Sequence, residues 1–267
     1  VTAKDLMTMD DDTKIGDIME TEIISVSTLT DKEDVAHQLR KYDLLALPVL
    51  DTDGLLVGIV TFDDAMDVMV EEATEDITKM AAVSPSEKTY FEVSAWEHAK
   101  RRIPWLLVLM FSSIITGTII TRYEDAFAAI PLLVSFIPML MDTGGNCGSQ
   151  SSTLIIRGIA LNQVTFHDFF RVIWKEFRVS LIVGVVLAVA NGLRIYLTYQ
   201  QAGMAVVIAL SLVATVISAK LLGCILPMCA KKIGLDPALM ASPLITTIVD
   251  ASSIMIYFFI ATKVFHL

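Results

Sequence analysis

The residue with the clearest chemical potential is Asp250, a carboxylate inside the otherwise apolar run Ala241–Thr262. A charged side chain at membrane depth is costly, and such residues usually line an ion path or a polar cavity. Thr246 and Ser253 lie four residues before and three residues after it, so a helix would place all three on one face. The pattern predicts a cation site, and a salt bridge from Asp250 to Lys220 is the structural alternative.

A second polar segment, Asp142–Gln150, interrupts another apolar run with the sequence DTGGNCGSQ. Its glycines permit either an unwound turn or close packing of two helices. Irregular backbone at membrane depth is tolerated where it lines a cavity. Because Asn146 and Gln150 are four residues apart, their amide oxygens would share a face. We expect an irregular, cavity-lining segment, and a helix-packing role for the glycines is the alternative.

The elements that position these residues follow from hydropathy. The chain is 54% apolar with a mean hydropathy of +0.64, and most of its 30 acidic residues lie in the first 102 positions. About 20 apolar residues cross a bilayer as a helix. Five runs meet or approach this length, which predicts five transmembrane helices. The runs are Ile103–Thr121, Ala126–Met141, Val179–Leu193, Met204–Ala230 and Ala241–Thr262.

The acidic part is predicted to form a strand at Ile23–Val26, a helix at Asp31–Tyr42, two further strands and a helix at Phe62–Glu72. Apolar runs at 47–50 and 55–60 flank Asp51–Gly54, a pattern typical of a β-hairpin. The stretch Leu47–Met69 resembles a CBS module, and Val1–Met9 looks like the tail of a preceding one. This resemblance implies paired modules and a possible adenosine nucleotide site, ATP or another, in a Gly-x-x-Thr-x-x-Asp pattern. Its members would be Gly58, Thr61 and Asp64; a strand-to-helix cap by Thr61 and Asp63 is the plainer interpretation.

Carboxylates are dense just after this pattern, where Asp64, Asp67, Glu71 and Glu75 would share one helical face. Like charges repel one another, so a bound cation would relieve the repulsion. Mg²⁺ takes hard oxygen ligands and keeps several of its waters. A magnesium-sensing surface is therefore predicted, against the alternative of a solvated acidic face.

Two segments together indicate a family. DTGGNCGSQSSTLIIRGIA (Asp142–Ala160) and DPALMASPLITTIVDASSIMIYF (Asp236–Phe258) resemble the two signature segments of MgtE magnesium channels. The resemblance implies a homodimer with five spans per subunit and a pore between the second and fifth spans. It also implies cytosolic Mg²⁺ that closes the pore. The implied pore residues are Asp250, Thr246, Asn146, Gly145 and Ser242; the implied regulatory residues are Asp64, Asp67, Glu72, Glu75, Asp76 and Asp236.

Three residues depart from the family pattern that we expect, namely Asp142, Ser242 and Thr246. They bear on the choice among Mg²⁺, Mn²⁺ and Co²⁺. The expected fold is an α-helical membrane protein of five transmembrane helices with an N-terminal α+β CBS module. Its expected divisions are a regulatory module (1–77), a connecting, plug-like helix (78–102) and a pore domain (103–267).

The predicted function is magnesium transport into the cytosol, with Mg²⁺ as both substrate and regulator. The alternative is a proton-coupled divalent cation carrier that uses Asp250 as its relay. The four histidines are scattered and no His-Glu-x-x-His occurs, so we expect no enzyme. Basic residues in alternate loops favour a multi-pass protein of the plasma membrane, its N-terminal module cytosolic and its C-terminus outside. The bilayer is an expected partner, and nucleic acid is not.

Overall fold

The computed structural model describes residues 1, 3–86 and 88–266, without the side chains of residues 3, 127 and 242. The chain forms two compact units, Val1–Thr74 and Glu75–Leu267, and the boundary falls within one helix. The helices and strands, in chain order, are α1 Ala3–Thr8, α2 Ile15–Ile18, β1 Val26–Ser27, α3 Lys32–Lys41, β2 Ala46–Leu50, β3 Leu56–Thr61, α4 Phe62–Met80, α5 Ala95–Arg122, α6 Glu124–Ala129, α7 Ile137–Ala160, α8 Phe169–Tyr199, α9 Ala202–Lys232 and α10 Ser242–Phe265.

The first unit is built on a three-stranded sheet in the order β1-β2-β3. Strands β1 and β2 are parallel, whereas β2 and β3 are antiparallel and form the predicted hairpin. Gly54 closes the hairpin with a φ of 79°, a conformation that glycine adopts without steric cost. The Asp31 side chain caps α3 by accepting a hydrogen bond from the Glu33 amide at 2.9 Å. Strand, helix and turn therefore fall close to where the sequence predicts them.

Apolar side chains of α3, the sheet and α4 form the core of this unit. Leu39 and Leu47 are fully buried, and Val26, Val35, Ala36 and Ala65 pack around them. The first strand begins at Val26, later than the predicted start at Ile23. Only the last residue of that predicted strand pairs with β2, because the parallel register joins Val26 to Val49.

The second unit is a bundle of long apolar helices. Four segments of the described residues are long and apolar enough to cross a membrane, which confirms an α-helical, multi-pass membrane protein. They are Ala95–Arg122, Phe166–Tyr199, Ala202–Lys232 and Pro237–Phe265. Helices α7, α9 and α10 pack on one another, α8 packs on α9, and α5 packs on α10.

The predicted second span differs from the structure in both position and form. Residues 126–141 hold the end of α6, a 3-10 turn at Pro131–Phe136 and only the start of α7. Proline near a helix start is favourable and proline within a helix is not, so Pro131 and Pro138 each begin an element. The prediction that Asp142–Gln150 is irregular is wrong, because α7 is continuously helical through these residues.

The predicted connecting helix, residues 78–102, contains three different pieces. It holds the last turn of α4, an irregular stretch and the first turns of α5. The Ser94 side chain begins α5 by accepting a hydrogen bond from the Glu97 amide at 3.3 Å. Pro85 lies in the irregular stretch, which agrees with its inability to continue a helix.

Candidate functional site

The glycines of α7 bring that helix close to α10. A Cβ atom added to Gly144 would lie 2.7 Å from Ser253 Oγ and 2.9 Å from Val249 Cγ1. One added to Gly148 would lie 2.7 Å from Ile245 Cγ2. Small residues allow such close approach of helices in a membrane. The helix-packing alternative for these glycines is therefore the correct one.

Asp250 lies beside this crossing and is half-buried. A Cβ atom added to Gly145 would lie 3.9 Å from Asp250 Oδ1 and 3.0 Å from Thr246 Cγ2. The structure thus brings Gly145, Thr246 and Asp250 together, as the sequence predicts. The Thr246 hydroxyl donates to the Pro243 carbonyl at 2.9 Å, which leaves its lone pairs able to accept a hydrogen bond from an ion's water shell.

The outward face of α7 carries a polar stripe. Asp142, Asn146 and Gln150 recur every four residues and are all exposed. Asp142 is close enough to Asp250 for the two carboxylates to repel each other. Asp142 departs from the expected family pattern, and its four-residue spacing from Asn146 is the sequence signal that places it on this stripe. The side chain of Ser242, another predicted pore residue, lies outside the described residues.

The proposed salt bridge between Asp250 and Lys220 is not formed in the part of the chain that the structure describes. The Lys220 ammonium instead donates to Ser151 Oγ at 3.3 Å, and Ser151 Oγ donates to Glu176 Oε2 at 2.6 Å. All three side chains are buried. Sequence reasoning missed Glu176 because α8 begins at Phe169, ten residues before the predicted span, and so includes this acid.

The acidic residues of the first unit do not converge on a metal-binding cluster. Among the described residues, no group of three His, Cys, Asp or Glu side chains is placed to hold an ion. Glu72 pairs with Lys32 at 3.0 Å and Glu71 pairs with it at 3.5 Å, which raises the pKa of the lysine. Asp67 is exposed on the same helix.

Asp64 has a defined role at the end of β3. Its Oδ2 atom accepts hydrogen bonds from Thr61 Oγ1 at 2.6 Å and from the Thr61 amide at 3.4 Å. The side chain therefore stabilises the strand-to-helix turn. Asp63, the residue of the capping interpretation, also bonds to the Thr61 side chain, and this bond lowers the pKa of Asp63. Asp64 also lines a cavity of about 270 Å³ together with Thr28, Thr30 and Lys32. Gly58 is not among its lining residues.

The remaining predicted regulatory residues lie in the second unit. Lys79, in the last turn of α4, bonds to Asp236 Oδ2 at 2.7 Å and to Glu75. Burial opposes the charged lysine, but these bonds more than offset it and raise the pKa of Lys79. The other carboxylate oxygen of Asp236 accepts from the Ala238 amide at 2.8 Å. Asp76 follows Glu75 on the same helix.

A small sheet-and-helix module followed in the chain by long apolar helices, one of which carries Asp250, defines a multi-pass α-helical membrane protein with an additional α+β domain. Residues 15–71 match the profile of the CBS domain, and residues 137–260 match that of the MgtE family, described as a divalent cation transporter. The chain therefore carries a CBS domain and a membrane domain of the MgtE family, which confirms the resemblance.

Curated relatives agree with this assignment. The chain is 39% identical to the magnesium transporter MgtE of Bacillus subtilis (strain 168), over 98% of this chain and 58% of that protein. It is 38% identical to the magnesium transporter MgtE of Thermus thermophilus, again over 98% and 58%. The chain thus spans about three fifths of these relatives. A crystal structure of the soluble part of a magnesium transporter is 51% identical, covering 27% of this chain and 28% of its own, with a TM-score of 0.27.

Proposed function

We propose that this protein carries Mg²⁺ across the plasma membrane into the cytosol along the α7–α10 crossing, with Asp250 as the cation-binding acid. The observation that carries the proposal is the half-buried Asp250 carboxylate held against Gly145 and Thr246 within an apolar helix. Intramembrane acids of this kind mark ion paths. The relatives named as magnesium transporters support the choice of ion.

The chemistry follows from the hydration of the ion. Mg²⁺ releases its waters reluctantly, so it enters the site with most of its shell in place. The Asp250 carboxylate attracts the divalent charge, and the Thr246 hydroxyl and the exposed Asn146 amide accept hydrogen bonds from the ion's waters. A divalent ion is attracted about twice as strongly as a monovalent one at equal distance. This difference favours Mg²⁺ over Na⁺ and K⁺.

Pairing of two subunits would complete the path. The stripe of Asp142, Asn146 and Gln150 is exposed on a single subunit, although it belongs to a helix that would lie in the membrane. Polar side chains in membrane helices usually face a partner or a water-filled cavity rather than lipid. A homodimer in which the two α7 stripes face each other satisfies this requirement. If the 24-residue helix α7 is the fifth span beside the four long apolar segments, an N-terminal module in the cytosol puts the C-terminus outside.

Cytosolic Mg²⁺ would close the path by binding the acidic residues of and near α4. The candidates are Asp64, Asp67, Glu72, Glu75, Asp76 and Asp236. Glu75 and Asp236 already share one cation, the Lys79 ammonium. Their convergence on a positive group supports their proposed affinity for Mg²⁺.

We also propose that the first unit binds an adenosine nucleotide in its cavity. The cavity of about 270 Å³ in the first unit is just below the range of about 300–1,000 Å³ that is typical of small-molecule pockets. Asp64 and Thr28 offer it acceptor and donor groups for ribose hydroxyls and phosphate. ATP binding measured by calorimetry should therefore weaken in Asp64→Ala; unchanged binding would remove Asp64 from the site.

The decisive experiment compares Mg²⁺ uptake into liposomes for the wild type, Asp250→Asn and Asp67→Asn, the last being an exposed acid outside the membrane domain. We expect Asp250→Asn to lose uptake while Asp67→Asn conducts at the wild-type rate when internal Mg²⁺ is low. Normal uptake by Asp250→Asn would refute the proposal. Uptake driven by a pH gradient rather than by voltage would instead indicate the proton-coupled carrier.

A further inference from the structure

The membrane domain contains a buried network of charged and polar groups that the proposed path does not use. Ser151 of α7 donates to Glu176 of α8 at 2.6 Å and accepts from Lys220 of α9 at 3.3 Å. Glu176 is 9% exposed, Lys220 is 5% exposed and Ser151 is fully buried. One hydroxyl therefore connects two opposite charges and three helices.

Close packing of the backbones makes these contacts possible. A Cβ atom added to Gly223 of α9 would overlap the Gly148 carbonyl oxygen and lie 3.1 Å from Ser151 Cβ. Helices α7 and α9 therefore cross almost in backbone contact beside the network. At this separation the short Ser151 side chain can reach groups on two neighbouring helices at once.

The network lies on the opposite side of α7 from its polar stripe. At 100° per residue, Ser151 lies about 180° around the helix from Asp142 and about 140° from Asn146, so it faces away from the centre of the stripe. Helix association inside a bilayer lacks a hydrophobic driving force, so polar links and close packing determine how one helix faces another. A bond that anchors the buried side of α7 therefore determines where its exposed side points.

We propose that Glu176, Ser151 and Lys220 are positioning residues that fix the rotation of α7 about its axis and so hold Asn146 at the cation path. This inference rests on the proposed function, because the orientation of α7 affects transport only if Asn146 lines the cation path. The two charges compensate each other, and the hydroxyl supplies the directional hydrogen bonds. Loss of the hydroxyl should turn the stripe while leaving the Asp250 side chain on α10 intact.

The test uses Asn146→Cys as a reporter of rotation, in a background whose three native cysteines are replaced by alanine. The rate at which a small methanethiosulfonate reagent modifies this cysteine in liposomes measures its exposure to water. Ser151→Ala should change that rate about twofold to thirtyfold, which corresponds to the range over which single residues modulate the coupling between distant sites. Ser180→Ala is the matched control, because its buried hydroxyl donates only to the Phe177 carbonyl of its own helix, at 2.7 Å.

Uptake measured without the reporter completes the test. Ser151→Ala should lower the maximal Mg²⁺ uptake rate, whereas Ser180→Ala should leave it unchanged. The double variant Glu176→Gln with Lys220→Gln removes the charges in balance and keeps partners for the Ser151 hydroxyl. Its Asn146→Cys reporter should be modified at the wild-type rate, and without the reporter it should take up Mg²⁺ at the wild-type rate. This variant keeps the inference testable where Ser151→Ala fails to assemble.

Equal modification rates and equal uptake in Ser151→Ala and Ser180→Ala would overturn the inference. So would a double Gln variant whose modification rate departs from that of the wild type by as much as the change predicted for Ser151→Ala, because charge rather than the hydroxyl bonds would then fix the helix. The parallel measurement on Asp250→Asn separates the two proposals. Normal uptake by Asp250→Asn defeats the proposed path, while the modification rates still report whether the network orients α7.

Discussion

Replacing Gly144 by alanine should destabilise the membrane domain and reduce transport. The new methyl group would lie 2.7 Å from Ser253 Oγ, 2.9 Å from Thr215 Cγ2 and 2.9 Å from Val249 Cγ1. Real Cβ contacts of this length essentially do not occur, so at least one helix must move. All three neighbours are short side chains and two are β-branched, so none can bend away as a long flexible chain would.

The expected cost is about 1–3 kcal/mol, which is typical of overpacking in a close-packed interior. Alanine gains about 0.5–1 kcal/mol over glycine in a helix, and that gain offsets part of the loss. The control is Gly117→Ala in α5, where an added Cβ meets no other atom within 4 Å. It should show only the gain in helix propensity.

The assay is thermal unfolding in detergent micelles, followed by circular dichroism, with Mg²⁺ uptake measured in parallel. Each kcal/mol corresponds to a shift in midpoint of about 2–4 °C for a domain of this size. Gly144→Ala should melt below the wild type, and Gly117→Ala should melt at or above it. Equal midpoints for the two variants, with normal uptake in both, would refute the close-contact account of α7.

Two further predictions concern groups away from the glycine crossing. Lys79→Gln should bind Mg²⁺ more tightly than Lys79→Arg in a calorimetric titration, because it removes the ammonium that competes for Asp236; equal affinities would contradict this. The pKa of Lys79 is raised in the folded protein, so the stability from its ion pairs is fully present below the unfolded pKa of about 10.4. The difference in stability between the wild type and Lys79→Gln should therefore not vary between about pH 6 and 9. Tyr257→Phe should cost about 0.5–1.5 kcal/mol in the same melting assay, because it removes the hydrogen bond that the Tyr257 hydroxyl donates to the Leu133 carbonyl. Exposed Tyr196→Phe should change stability by less than about 0.5 kcal/mol.

Much of the regulatory module could be predicted from local signals. The Asp51–Gly54 turn, the Asp31 cap and the apolar strands all act over a few residues, and the structure contains each of them. The ligand geometry of the acidic surface could not be predicted in this way. Charge density along α4 is visible in the sequence, but ligand geometry depends on which groups meet in space. Lys32 and Lys79 neutralise acids there through contacts that no local pattern reveals.

In the membrane half, the features that the sequence predicts are again distinct from those that depend on contacts in space. The sequence alone determined that long apolar helices are present and that Asp250 lies within one of them, because hydropathy and the cost of an isolated charge depend on residue type and order. It could not decide whether the glycines near Asp142 unwind a helix or pack one, since glycine permits both.

Only the tertiary structure decided that question. Gly144 and Gly148 lie against α10, Gly148 also lies against Gly223 of α9, and the chain between them remains helical. The partners of Lys220 also depended on helix rotation, which the sequence leaves free because either side of α9 is apolar enough to face a neighbour. Residue order therefore set which chemistry lies at membrane depth, and close packing of backbones set which groups meet.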